Sequence, residues 1–182
     1  MQSRSKLLPL VESAVLIALS FVLMQITLFK LPQGGSVTAG SMIPILLIGL
    51  RHGPRWGVMS GVVFGLLQAM TASEPAVHWA QWLIDYPVAF GVLGLAGFAR
   101  GRNPYAAGAL SSLALIGRFL AHLVSGVIFF GEYAPAGQNV WVYSAIYNGS
   151  YMLPEMLISG AILLVLHPAL RRALPPAQER AV

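Results

Sequence analysis

Apolar stretches follow one another along this chain, and the short turns between them carry nearly all of its lysine and arginine. That alternation leaves few folding solutions. A helix needs about 20 apolar residues to cross the hydrocarbon of a bilayer. Six stretches fit helices of that kind, at about 7–29, 37–50, 56–71, 77–98, 105–130 and 140–170, the second of them short and carrying Pro44. With 182 residues in all, almost nothing remains outside them, so residues 1–182 read as a single integral membrane domain. The expected fold is an all-α membrane protein, six transmembrane helices in a compact bundle. Charged residues make up 9% of the chain, against ~25% in an ordinary soluble domain. That excludes a soluble enzyme, a disordered chain and a nucleic-acid-binding domain. The net charge of +5 sits in turns, so it reports topology and not an affinity for nucleic acid.

Nine of the eleven basic residues fall on one side of a six-span chain: Arg4, Lys6, Arg51, Arg55, Arg100, Arg102, Arg171, Arg172 and Arg180. The other side has only Lys30, and Arg118 lies inside the fifth span. Positive loops stay inside, so both termini and the basic turns are expected in the cytoplasm. The protein is then a multi-pass protein of the cell membrane, its loops around Gly34, Glu74 and Glu132 facing outward.

Chemistry is constrained by what is missing. There is no cysteine, hence no disulfide, thiolate metal site or cysteine nucleophile. No phosphate-cradling G-x-x-x-x-G-K-[ST] loop and no H-E-x-x-H metal motif occur. A catalytic residue, a metal and a cofactor are therefore not expected.

Small residues recur at helical spacing: Gly57, Gly61 and Gly65 in the third span, Gly91, Gly94 and Gly97 in the fourth, Ala14 and Ala18 in the first. In lipid such residues let backbones approach closely. The glycines suit packing within the bundle. Ala14 and Ala18 suit either that or an outward docking face.

Ionisable side chains inside a span are expensive and mark function by default. There are five: Glu12, Asp85, Arg118, His122 and Glu155. Glu12 is close enough to the cytoplasmic end of its span to snorkel. Asp85 lies in Trp82-Leu-Ile-Asp-Tyr-Pro87, where the proline leaves the Leu83 carbonyl without its helical donor. Tyr143, Tyr147, Tyr151 and Glu155 recur every four residues down the last span. Two arrangements satisfy these groups. They neutralise one another in the bundle, with Asp85 and Arg118 as a pair, or Asp85, His122, Tyr143 and Asn148 line one polar cavity near the outer ends of the last three spans. Aromatic residues sit at the same level, among them Trp79, Tyr86, Phe130 and Tyr133. A carboxylate beside aromatic faces suits a planar, cationic, hydrogen-bonding solute.

Five phrases carry a family resemblance: Leu31-Pro-Gln-Gly-Gly-Ser-Val37; Met42-Ile-Pro-Ile45; Leu83-Ile-Asp-Tyr-Pro-Val-Ala-Phe90; His122-Leu-Val-Ser-Gly-Val-Ile-Phe-Phe-Gly131; and Tyr133-Ala-Pro-Ala-Gly137 with Trp141-Val-Tyr-Ser-Ala-Ile-Tyr-Asn148. Together and in this order they resemble the thiamine-specific S component of energy-coupling factor (ECF) transporters, the YuaJ or ThiT type, from about Val11 to about Leu166. The resemblance implies the six-helix S-component fold and capture of thiamine at the outer face. It implies as partner an ECF module of one transmembrane subunit and two ATPase subunits. By position, Asp85 matches an acidic ligand contact that is Glu in some members. His122, Tyr143 and Asn148 match further contacts, and Tyr86 matches a tyrosine beside the acid. Phe130 stands where some members stack a tryptophan on the ligand. Gly35 stands where some place another, which leaves that wall to Trp79 or Tyr133. Ala14 and Ala18 match the small-residue motif that docks on the module. Two alternatives remain: an S component for a pyrimidine precursor of thiamine, and a self-sufficient ion-coupled carrier.

Overall fold

A computed structural model describes residues 2–72 and 76–173, with side chains for 7–32, 34–72 and 76–166. Glu74 and Arg180 lie outside the described residues, as do the side chains of Arg4, Lys6, Arg171 and Arg172. In chain order the elements are α1 (Gln2–Gln25), β1 (Thr27–Lys30), β2 (Ser36–Thr38), α2 (Ile43–His52), α3 (Pro54–Thr71), α4 (Trp79–Ala99), α5 (Pro104–Phe129) and α6 (Val140–Ala173). Of the six helices, α1, α4, α5 and α6 are long and apolar enough to cross a membrane.

Local chemistry sets the breaks. Pro54 and Pro104 open α3 and α5, where a missing N–H costs nothing. Asn103 caps α5 by accepting from the Ala106 N–H at 2.8 Å. Gly53, at φ 92°, turns the chain between α2 and α3 and donates its N–H to the Gly49 carbonyl. A side chain at that φ would be strained.

The first two spans differ from their sequence assignment. The stretch 7–29 is not all helix, because α1 ends at Gln25. The stretch 37–50 does not begin as helix either, because α2 starts at Ile43. Between them β1 and β2 pair antiparallel, Thr27 with Thr38, Phe29 with Val37 and Lys30 with Ser36, with a register shift between Thr27 and Phe29. The hairpin is continued by the Leu31 N–H on the Gly35 carbonyl (2.6 Å) and the Ala39 N–H on the Ile26 carbonyl (3.1 Å). Pairing gives these backbone groups partners without a helix. Gly34 and Gly40, both at positive φ, bracket β2.

Glycines set how closely α3 and α4 pack. A Cβ built on Gly61 would lie 2.1 Å from the Phe90 carbonyl oxygen, and one on Gly94 2.0 Å from the Val58 nitrogen. The helices therefore meet backbone to backbone. Beside them Met42, Ile45, Leu46, Phe64, Phe90 and Leu93 form the buried core. The Phe64 and Phe90 rings meet edge to face, centroids 5.0 Å apart.

α1 stands at the rim of the bundle, with Val11, Ala14, Val15, Ala18 and Val22 exposed. Glu12 has side-chain partners near the end of its span. Its carboxylate takes Arg51 in a two-pronged contact (Nη2 to Oε1, 2.8 Å) and lies 2.7 Å from His52 Nε2. This clasp ties α1 to the end of α2. Two-pronged carboxylate–guanidinium contacts are among the stronger hydrogen-bonded pairs.

Candidate ligand site

The site is built on a defect in α4. Trp79–Leu83 is α-helical, Ile84–Val88 is a wide π turn, and Ala89–Leu93 is α-helical again. Pro87 has no N–H to give, and two residues on the Ala89 N–H reaches the Ile84 carbonyl five residues back. Turns of this kind in helices are frequent at functional sites. Asp85 lies inside this one, half-buried.

Two side chains hold Asp85. Gln81 Nε2, one turn earlier, donates to Oδ2 at 3.1 Å. From α5, His122 Nδ1 lies 3.1 Å from Oδ1. Gln81 is itself oriented, because its Oε1 accepts the Val77 N–H at 2.8 Å. A carboxylate can only accept, so the imidazole proton sits on Nδ1 and Nε2 is left as an acceptor in the neutral ring. His122 Nε2 is buried and has no hydrogen-bond partner among the described residues.

Asn148 on α6 completes the cluster. Its Nδ2 donates to the Ser144 carbonyl (2.9 Å) and the His122 carbonyl (3.3 Å). Its Oδ1 accepts from the Tyr151 hydroxyl at 2.8 Å. Tyr151 also meets the His122 ring edge-on, centroids 6.2 Å apart. Tyr143 stacks on Tyr147 at 6.3 Å and 27°. The structure thus joins Asp85, His122 and Asn148 through direct contacts, and Tyr143 through its neighbouring ring.

The remaining candidates make no direct side-chain contact with this cluster among those the described residues show. Phe130 ends α5 and its ring centroid is 6.1 Å from that of Tyr133. Tyr86 is half-buried in the π turn, its carbonyl carbon 2.7 Å from a Cβ built on Gly65. Trp79 is 73% exposed and Tyr133 51% exposed. Neither closes on Gly35. The atoms nearest a Cβ there are Tyr151 Cδ1 (2.6 Å) and the Tyr147 hydroxyl (3.1 Å). The wall at Gly35 is made by tyrosines of α6, whose four-residue spacing was the available signal. Gln81 carried no such signal.

Arg118 does not pair with Asp85. It is buried, its Nη1 lies 2.6 Å from Met42 Sδ, and its guanidinium sits 4.3 Å from the Phe90 ring centroid. One turn separates it from His122 on α5, but Asp85 is already taken by His122 and Gln81.

Comparison with known proteins agrees over the same span. Residues 10–174 match the family model described as thiamine transporter protein (Thia_YuaJ). The chain is 37% identical over 180 residues to the thiamine transporter ThiT of Bacillus subtilis (strain 168), covering 91% of this chain and 93% of that protein. It is 29% identical over 185 residues to the thiamine transporter ThiT of Lacticaseibacillus paracasei, covering 91% and 90%. The solved structure of ThiT from Listeria monocytogenes superposes with a TM-score of 0.77 at 26% identity, covering 92% of this chain and 97% of that one.

Proposed function

This chain belongs to the thiamine transporter protein family and has its six-helix S-component fold, and from that premise we propose that it captures thiamine at the outer face of the cell membrane and delivers it inward with an ATP-driven ECF module. The relatives are named as transporters, a non-enzymatic role. One observation supports the ligand above others. The acceptors of the Asp85 cluster exceed the donors that meet them: a carboxylate, the unpartnered His122 Nε2 and the remaining lone pair of Asn148 Oδ1. A cationic ring bearing an exocyclic amine supplies both the charge and the N–H donors that such a cluster lacks.

Roles follow from position. Asp85 takes the amine or balances the cation. His122 and Asn148 accept from the ligand, and Tyr143, Tyr86 and Phe130 offer ring faces. Trp79 and Tyr133, exposed as they stand, reach the ligand only at its outer rim. With no phosphate-binding loop of its own, the chain depends on a partner for ATP, docked on the exposed Ala14–Ala18 face of α1. Both termini and the basic turns lie in the cytoplasm.

The test is a titration of the purified chain in detergent, read by quenching of its four tryptophans. Saturable quenching by thiamine, with a much weaker response to its isolated pyrimidine, is the expected result. Equal affinity for the pyrimidine alone moves the assignment to the precursor. Uptake by the lone chain in liposomes without ATP overturns the module-dependent reading.

A further inference from the structure

Glu155 plays no part in the site described above, yet it is one of the most deeply buried polar side chains, at 2% exposure, inside the apolar stretch of α6. We propose that Glu155 is a positioning residue for the ligand site: it pins Thr38, and thereby fixes residues 32–38 against the tyrosine face of α6 that leads to Asp85.

Both carboxyl oxygens are committed to that pin. Oε2 accepts the Thr38 backbone N–H at 2.6 Å and Oε1 accepts the Thr38 hydroxyl at 2.5 Å. Thr38 Oγ1 in turn accepts the Ser41 N–H at 3.2 Å and lies 2.9 Å from Ser41 Oγ. Thr38 and Ser41 are themselves buried. Burying a carboxyl inside an apolar helix is costly; the charge of Glu155 acts on the buried Arg118 through space, but its oxygens are spent on Thr38. No ion pair joins it to Arg118 among the described residues.

The pin is the last of three grips on one stretch of chain. Residues at four-residue spacing share a helix face, and Tyr147, Tyr151 and Glu155 do so on α6. The Tyr147 hydroxyl donates to the Pro32 carbonyl and accepts the Gly35 N–H. The Tyr151 ring fills the space beside Gly35. Glu155 holds Thr38. Two of these grips touch the site directly: Tyr151 bonds Asn148 and packs on His122, and Tyr147 stacks on Tyr143. Releasing Thr38 removes the buried end of the array, so the 32–38 segment loses its register on Tyr147 and Tyr151. Those rings then lose the surface that holds them toward His122 and Asn148.

The experiment rests on the thiamine-binding reading and uses the full-length purified chain. In Glu155→Gln the amide oxygen stays on the Thr38 N–H and the amide nitrogen meets the Thr38 hydroxyl, which must turn its proton to Ser41 Oγ, so both charge-assisted bonds become neutral ones. Thiamine affinity is expected to fall about tenfold, the scale of one charge-assisted hydrogen bond lost. Amide exchange measured without ligand is expected to speed up in 31–41 and to stay unchanged in α3 and α5. A role confined to general stability predicts faster exchange everywhere. Thr38→Val removes the hydroxyl, keeps the N–H, and is expected to weaken binding about three- to fivefold; it decides the matter if Glu155→Gln does not fold. Wild-type affinity and wild-type exchange over 31–41 overturn the positioning role, as does faster exchange spread over all helices. Failure of the wild-type chain to bind thiamine is a different result: it refutes the transport reading, and the positioning role falls with it.

Discussion

Replacing Asp85 by Asn removes one charge and almost no volume, and the surrounding bonds dictate how the new amide must lie. Gln81 cannot turn over to meet it, because its Oε1 is held by the Val77 N–H at 2.8 Å. Its Nε2 therefore still points at residue 85, and the asparagine must present its oxygen there. The new –NH2 then faces His122 Nδ1, 3.1 Å from the present Oδ1. Two donors cannot share that contact, so the imidazole proton moves to Nε2 and Nδ1 becomes the acceptor. Both hydrogen bonds survive in kind. Because Arg118 rests on Met42 Sδ and Phe90 and not on Asp85, no buried cation is orphaned either. Folding stability is accordingly expected to change by less than about 1 kcal/mol, the difference between ordinary hydrogen bonds. Ligand affinity is a separate matter. The carboxylate is gone, and the acceptor at His122 Nε2 has turned into a donor. Loss of a charge-assisted hydrogen bond costs ~1.5–3 kcal/mol, which is about ten- to a hundredfold in affinity. Thermal unfolding and thiamine titration on the same purified sample separate the two effects, and nitrogen NMR of the histidine reports the tautomer. Unchanged affinity in a folded Asp85→Asn chain refutes the assignment of Asp85 to the ligand. A large drop in unfolding temperature refutes the hydrogen-bond reasoning.

Topology is open to a direct check because the chain has no cysteine of its own. Ala136→Cys, on the exposed turn after α5, should label with an impermeant thiol reagent in intact cells, and Tyr105→Cys, at an exposed position, should not; the reverse pattern refutes the orientation. Ala14→Trp with Ala18→Trp enlarges an exposed face without touching the site, so thiamine binding should stay within about twofold while module-driven uptake is lost. Binding lost together with uptake would place that face in the site instead. Gly94→Ala puts a carbon 2.0 Å from the Val58 nitrogen, where only backbone can yield. Overpacking of this kind costs ~1–3 kcal/mol or more, so the unfolding temperature should drop sharply. Gly108→Ala, with nothing within 4 Å of the added carbon, should leave it unchanged.

The parts of this molecule that were legible in the sequence are those whose cause is local. Apolar length and basic turns mark the helices, and Pro54 and Pro104 mark where two of them open. Pro87 marks a break in the helix beside Asp85, because a missing N–H acts locally, and the structure gives that break the form of a π turn. The parts that were not legible depend on partners far along the chain. Leu28 and Phe29 read as the end of a span because a short apolar run has the same composition in a membrane helix as in a strand. What makes them a strand is the return of the chain at Ser36–Thr38. That return is held in place from α6, through contacts 112 residues away at Gly35 and 117 away at Thr38. Glu12 shows the same logic. Near a span end it has a sufficient local explanation in snorkelling, and only the fold brings Arg51 and His52 to it. The tyrosine–glutamate spacing on α6 lies between these cases. The sequence displays one face of the contact in full, Tyr143 to Glu155 at every fourth residue, but its partners across the contact are mostly backbone: the Pro32 carbonyl, the Gly35 N–H and the Thr38 N–H, joined by one side chain, the Thr38 hydroxyl. Backbone groups are identical at every position, so no reading of side chains alone can say which of them a tyrosine or a carboxylate will hold. A periodic polar face inside a membrane helix with no matching face elsewhere therefore points to an irregular segment folded against it.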